Sequence, residues 1–172
     1  IRELARRYAK DPEADRASLD RAYAEEMKEL HNRYPEDNDA ATLYAAALMN
    51  LSPWDYWGKD GRPKSRTLEL LEVLEGVMAR DPEHEGALHY YIHAVESTEP
   101  ARGEQAADRL RGLAPGAGHL VHMPSHIYMR RGRYAEAFEA NSRAIEADEG
   151  YITACRKQGI YPLNYYPHNI HF

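Results

Sequence analysis

Histidines recur at one-turn intervals in two short stretches, His89-Tyr90-Tyr91-Ile92-His93-Ala94-Val95-Glu96 and His119-Leu120-Val121-His122-Met123-Pro124-Ser125-His126. Every histidine gap within them is three or four residues, the spacing that stacks side chains along one face of an α-helix. His89, His93 and Glu96 then form one stripe, and His119, His122 and His126 another. A third segment, Tyr165-Tyr166-Pro167-His168-Asn169-Ile170-His171, repeats the device with His168 and His171. Neutral imidazoles so arranged on neighbouring helices can converge at ~2.0–2.1 Å on one transition-metal ion. Imidazole suits zinc, copper, iron or nickel, and a soft ligand such as Met49 or Met123 would favour copper. The seven histidines exceed one tetrahedral site, which leaves open two metals, or one metal with acid/base residues. An ion with a free position could activate water or dioxygen. Glu96 is a candidate ligand, catalytic base or solvated carboxylate. Tyr90, Tyr91, Tyr128, Tyr165 and Tyr166 are candidates for orienting the imidazoles.

The elements that must position these residues all read as helix. Residues 1–10 form a short amphipathic helix stopped by Asp11-Pro12. A second helix carries Leu19, Tyr23, Met27 and Leu30 and ends near Tyr34-Pro35. Asp37 or Asn38 caps a third over 40–51. Leu68, Leu71, Val73, Leu74 and Val77 mark a fourth, ending at Asp81-Pro82. Further helices are expected near 86–97, 103–113, 118–131 and 134–147, with a kink at Pro124 because proline has no N–H to give the preceding turn. Pro167 suits the first turn of another helix. No stretch alternates like a strand. His31 and His84 fall at helix ends and read as surface residues. Pro53-Trp54-Asp55-Tyr56-Trp57 opens a turn-rich loop; Trp54 and Trp57 read either as a lid or, the preferred reading, as aromatic packing along the core edge.

The punctuation is periodic. Pro35, Pro82, Pro115 and Glu149 are separated by 47, 33 and 34 residues, and a period near 34 built from helix–turn–helix units is the tetratricopeptide signature. Ser125, Tyr128, Gly132, Tyr134, Ala137 and Ala144 stand where that repeat places small, aromatic, Gly, aromatic, Ala and Ala, and Gly132-Arg133-Tyr134-Ala135-Glu136-Ala137 resembles its inter-helix turn. The chain therefore resembles tetratricopeptide repeat proteins. It resembles in particular a histidine-rich bacterial group with blocks such as Pro-Trp-Asp-Tyr-Trp and His-Tyr-Tyr-Ile-His-Ala-Val-Glu. The resemblance implies an all-α fold in which antiparallel helix pairs form an α-α superhelix. It divides residues 1–172 as a single domain into repeats at about 1–35, 38–82, 85–117 and 118–151, with the start of another at 152–172 and the Trp loop as an insertion. First helices of such repeats line a concave groove. In register, His89 and His122 share one groove position and His93 and His126 another, with Glu96 and His119 beside them. These four histidines are the expected inner ligands; His119, His168, His171 and Glu96 extend the site, and Met49 and Asn50 reach the groove by the same count. The resemblance brings no activity with it.

Composition narrows the alternatives. With 22 Lys and Arg against 28 Asp and Glu, the net charge of −6 argues against a nucleic-acid binder. No apolar run approaches the ~20 residues of a membrane span. A single cysteine, Cys155, excludes an intrachain disulfide framework. Beginning at Ile1 without a Met, and ending at Phe172 within a histidine-bearing segment, the chain reads as a fragment or processed product. A targeting segment would lie outside it, and the compartment, cytoplasmic or exported, is open. Two classes of function stand side by side: a metal-binding helical repeat protein, with a metal-dependent hydrolase or oxidase as its catalytic form, and a scaffold whose groove takes a peptide or protein ligand. A histidine cluster titrating near neutrality is a third.

Overall fold

The protein, described from a computed structural model, is placed for residues 2–156 and 159–172. Among these it is all-helical, with helices packing on successive neighbours and one isolated β-bridge, Trp57 to Pro63. Two compact units divide it, Ile1–Tyr90 and Tyr91–Phe172.

The first unit contains α1 (Arg2–Ala5), α2 (Arg16–Arg33), α3 (Asn38–Leu51), α4 (Thr67–Arg80) and the opening of α5 (Glu85–Val95). Helix α1 covers only a fraction of the expected first helix, Ile1 lying outside the described residues. The starts of α2 and α3 are fixed by Asp15, whose carboxylate accepts from the Ala17 and Ser18 amides at 3.2 and 3.1 Å, and Asp37, which accepts from the Ala40 amide at 2.9 Å. Each satisfies donors that the first helical turn leaves without partners. Tyr23 and Met27 of α2, Tyr44, Ala45 and Leu48 of α3, and Leu70, Leu74 and Val77 of α4 form the core. The Tyr44 hydroxyl donates to Glu69 at 2.6 Å, giving its polar tip a partner at the edge of that core. His84 is no simple surface residue: its Nδ1 accepts from the Ala87 amide at 3.2 Å and so serves the start of α5. His31 is half-buried and stacks on Tyr44.

The loop between α3 and α4 differs from the preferred reading of its tryptophans. Its buried aromatic is Tyr56, whose carbonyl accepts from the Lys64 amide at 2.8 Å and from the Thr67 hydroxyl at 2.6 Å. Trp54 has a positive φ of 61° and its residue is 70% exposed, so its indole does not cover the core.

The second unit holds the end of α5, a 3₁₀ turn (Pro100–Gly103), α6 (Glu104–Leu110), α7 (Gly118–His122), α8 (Pro124–Arg130), α9 (Tyr134–Cys155), a π-helical turn (Tyr161–Tyr165) and α10 (Tyr166–His171). Helices α7 and α8 both pack on α9, α6 packs on α8, and α10 packs on α7 and α9. The expected break at Pro124 is present: the helix divides at Met123, which itself keeps helical dihedrals. Gly132 takes a φ of +74° in the turn from α8 to α9, a conformation that costs glycine little. Beside that turn the Tyr128 hydroxyl donates to Asp108 at 2.9 Å, and the Arg133 guanidinium lies 4.2 Å from the Tyr128 ring centre. No helix among the described residues is long and apolar enough to cross a membrane.

One buried carboxylate ties three parts of this unit together. Asp148 of α9 accepts from the Tyr161 hydroxyl at 2.6 Å and from Asn169 Nδ2 of α10 at 2.7 Å. Both Asp148 and Asn169 are fully buried. The carboxylate also lies against Gly118 at the start of α7, where an added Cβ would stand 1.9 Å from Asp148 Oδ1. Gly118→Ala must therefore push α7 away from α9 or displace the Asp148 carboxylate, with an expected loss of about 1–3 kcal/mol in unfolding free energy. Urea denaturation of the variant measures it, and an unshifted midpoint would mean that α7 is not seated against Asp148.

Candidate metal centre

Four short elements of the second unit deliver the histidines. His93 lies in α5, and Glu96 continues that turn, its amide donating to the Ile92 carbonyl at 2.9 Å. His119 and His122 lie on α7, His126 on α8 and His168 on α10. His122 is wholly buried and His126 nearly so, whereas His168 lies at the exposed edge.

Hydrogen bonds to the Nδ1 atoms orient the rings. His126 Nδ1 donates to Glu96 Oε2, and His93 Nδ1 donates to Glu96 Oε1 at 3.0 Å. His122 Nδ1 donates to Asn141 Oδ1 of α9 at 2.7 Å, with Ser125 Oγ 3.3 Å from the same nitrogen. A neutral imidazole has one N–H, so a ring that donates through Nδ1 presents a bare lone pair at Nε2. These Nε2 atoms point at one another: His122 Nε2 lies 2.9 Å from His126 Nε2 and 3.0 Å from His168 Nε2. For His122 and His126, both donating through Nδ1, this sets two lone pairs face to face, a pairing that a proton or a metal ion between them would relieve. His168 can meet His122 by donating its own Nε2–H, and a metal ion is the one ligand that could accept all three nitrogens. Nitrogens sharing a tetrahedral ion at ~2.0–2.1 Å stand roughly 3.3 Å apart, within a few tenths of an ångström of the two separations from His122.

Burial sets the charge state around this point. Desolvation, followed by repulsion from His126, holds His122 down to about 3 despite its bond to Asn141. Desolvation, then the neighbouring His93, His168 and His126, brings His119 to about 4. His168 is lowered by desolvation, then by His126 and His93, with Glu96 opposing. For Glu96, burial pushes upward, but the bonds from His126 and His93 outweigh it and hold the carboxyl at about 2. Burial thus favours neutral imidazoles, the form that ligates metals, at His119, His122 and His168, beside an ionised carboxylate.

The structure sorts the remaining sequence candidates. Three ligand groups meet within 4.8 Å among the described residues, and two of them lie wholly in the second unit: His122, His126 and His168; and His93, Glu96 and His126. His119 stands beside both, 6.1 Å from His93 and 6.0 Å from His122 between ring centres, with Tyr165 edge-on at 5.2 Å. His171 is exposed and belongs to neither group. His89 is counted in the first unit, its ring 4.8 Å from that of Tyr90; Met49, Asn50, Trp54 and Trp57 also lie in that unit. Tyr91 is buried, and Tyr166 donates to Glu149 at 2.9 Å. The Tyr128 hydroxyl is committed to Asp108, away from the imidazoles. Sequence reasoning missed Asn141, Asp148 and Asn169, and Phe172, whose ring centre lies 4.3 Å from that of His126. The signal for two of them was a polar interruption of an alanine stripe: Ala137, Ala140 and Ala144 bury one face of α9, and Asn141 and Asp148 fall beside or on it.

No family model, curated protein or solved structure matches the chain.

The lowered histidines make metal-free protein sensitive to acid. Between pH 6.5 and about 4 the unfolded chain takes up protons at His119 and His122 that the folded chain refuses, so their contribution is complete above 6.5 and falls as pH drops. Each group contributes at most about 1.4 kcal/mol per pH unit. Glu96 adds a second loss as pH falls from 4.5 towards 2. Stability measured by denaturant titration at stepped pH is expected to slope downward below 6.5, less steeply in His119→Gln. A flat profile from pH 7 to 5 would show that these imidazoles are solvated.

Proposed function

We propose that this protein binds a divalent first-row transition ion, zinc being the expected occupant, through His122, His126 and His168. The convergence of three Nε2 atoms, two of them on rings whose Nδ1 protons are already given to Asn141 and Glu96, carries the reading. A carboxylate or amide oxygen behind a ligating imidazole is the usual partner that fixes its tautomer. Three imidazoles leave a position for an exogenous ligand, and the exposed edge at His168 gives access to it. An ion so held would supply an activated water, which makes metal-dependent hydrolysis the reaction class we favour. The protein's own share is to keep the imidazoles neutral and aimed, and to hold an ionised carboxylate behind His126.

The frame we propose for the site is a tetratricopeptide-type helix pair, α7–α8 followed by α9. The left-handed Gly132 in its turn and the buried Tyr128, Ala137 and Ala144 support that assignment.

Elemental analysis of untagged protein, prepared without chelator, tests the reading. Stoichiometric zinc or another first-row ion is expected. His122→Ala and His168→Ala should retain the helical spectrum and bind zinc far more weakly. Asn141→Ala, which removes only an outer partner, should lose roughly 10–100-fold in affinity. Absence of metal in the purified protein together with no zinc binding on titration at neutral pH would end the proposal.

A further inference from the structure

Behind the three-imidazole cluster lies a second set of donors facing the other side of a shared ring. Glu96 keeps only 13% of its side chain accessible between the imidazoles of His93 and His126, which are 10% and 8% accessible. It meets each of them through a different oxygen and, in both cases, through Nδ1. One donor atom from each of His93, Glu96 and His126 lies within 4.8 Å of the others, the compactness that also marks the first cluster. His126 is therefore addressed at both nitrogens: Nε2 by His122 in the first cluster, Nδ1 by Glu96 in the second.

From this arrangement we infer a second metal site, formed by His93 Nδ1, a Glu96 oxygen and His126 Nδ1, with the His126 ring bridging two ions. The inference rests on the first site being a metal site, since an ion on Nε2 acidifies the remaining N–H of the same ring. Binding is an exchange. In the singly loaded protein His126 and His93 donate their Nδ1 protons to Glu96. The second ion takes the His126 Nδ1 lone pair as that proton leaves to solvent, and the His93 ring transfers its own proton to Nε2, so that His93 remains neutral. Ligand identity suits the purpose: two histidines and one carboxylate bind zinc in hydrolytic sites and ferrous iron in oxygenases. Glu96, ionised at neutral pH, brings the negative charge needed for a second dication in a buried place. His119, stacked on His93 at 6.1 Å between ring centres, stands beside this second set as neutral polar surface.

Copper(II) titration of metal-free protein separates the possibilities, because two copper ions joined by one imidazolate couple magnetically. The parent is expected to take two ions per chain, the electron paramagnetic resonance signal growing with the first equivalent and falling with the second. His93→Ala removes a donor outside the first cluster and should take one ion and give an uncoupled signal of full intensity. Glu96→Gln, which also removes the carboxylate behind His126, should likewise take one ion with an uncoupled signal, that ion being held roughly 10–100-fold more weakly than in the parent. A single equivalent in the parent would overturn the second site and leave the first standing. Two equivalents that persist in both variants, or that never couple, would also overturn it. Failure of the parent to bind any copper or zinc would instead sink the first site, and the second with it.

Discussion

An imidazole taken out of water keeps its ring but not its charge, and the second unit depends on that constraint. His122 is fully enclosed, and His126 and His93 are nearly so. Several cationic rings could not coexist there, because desolvation and mutual repulsion act in the same direction. Neutral rings can, but each then has a single proton to place. Glu96 and Asn141 determine the placement by accepting at Nδ1, so the arrangement at Nε2 follows from two oxygen atoms several ångströms away. The crowding of lone pairs between His122 and His126 is thus a consequence of well-satisfied hydrogen bonds elsewhere in the unit.

Holding such a point together requires the backbone to be fixed by groups outside it. The third nitrogen comes from α10, six residues long and too short to be stable alone. Its seat is the buried Asp148, which receives Asn169 one residue along from His168 while also receiving Tyr161. The absence of a side chain at Gly118 lets the same carboxylate lie against the start of α7, the helix that carries His119 and His122. Asp148 therefore sets the relation between α7 and α10, and through it the 3.0 Å separation of His122 and His168. Its hydrogen bonds go to Tyr161 and Asn169, so its hold on the cluster is exerted through the backbone.

What could be read from the chain, and what could not, divides along the range of the interactions. The His122–His126 pair and the His93–Glu96 pair are legible because they are four and three residues apart on helices, where spacing alone fixes proximity. The break at Pro124 is legible for the same local reason. His168 and His171 are also one turn apart, yet only His168 arrives. The π-helical turn before α10, where the Tyr166 amide bonds to the Tyr161 carbonyl, rotates the face of α10 away from a regular count. No periodicity of 3.6 anticipates that. Tyr128 was misplaced because its aromatic role in the helix pair does not say where its hydroxyl goes; Asp108 and Arg133 decide it. Trp54 was misplaced because composition treats an indole as something to bury, whereas a left-handed backbone at that residue carries it outward.

A buried cluster of this kind is expensive in stability. Leucines at the positions of His122 and His126 would bury comparable volume without opposed lone pairs, and the carboxylate of Glu96 would then have no reason to be inside. Local rules are broken together here: a helix divided at Met123, a carboxylate with 13% of its side chain accessible, and facing nitrogens at 2.9 Å. Departures that cluster in one place, while the rest of the unit follows ordinary helix packing, are what a site built for a ligand produces. The cation we propose would answer all of them at once: it would satisfy the nitrogens, balance the carboxylate and offset in binding free energy what the arrangement costs in folding.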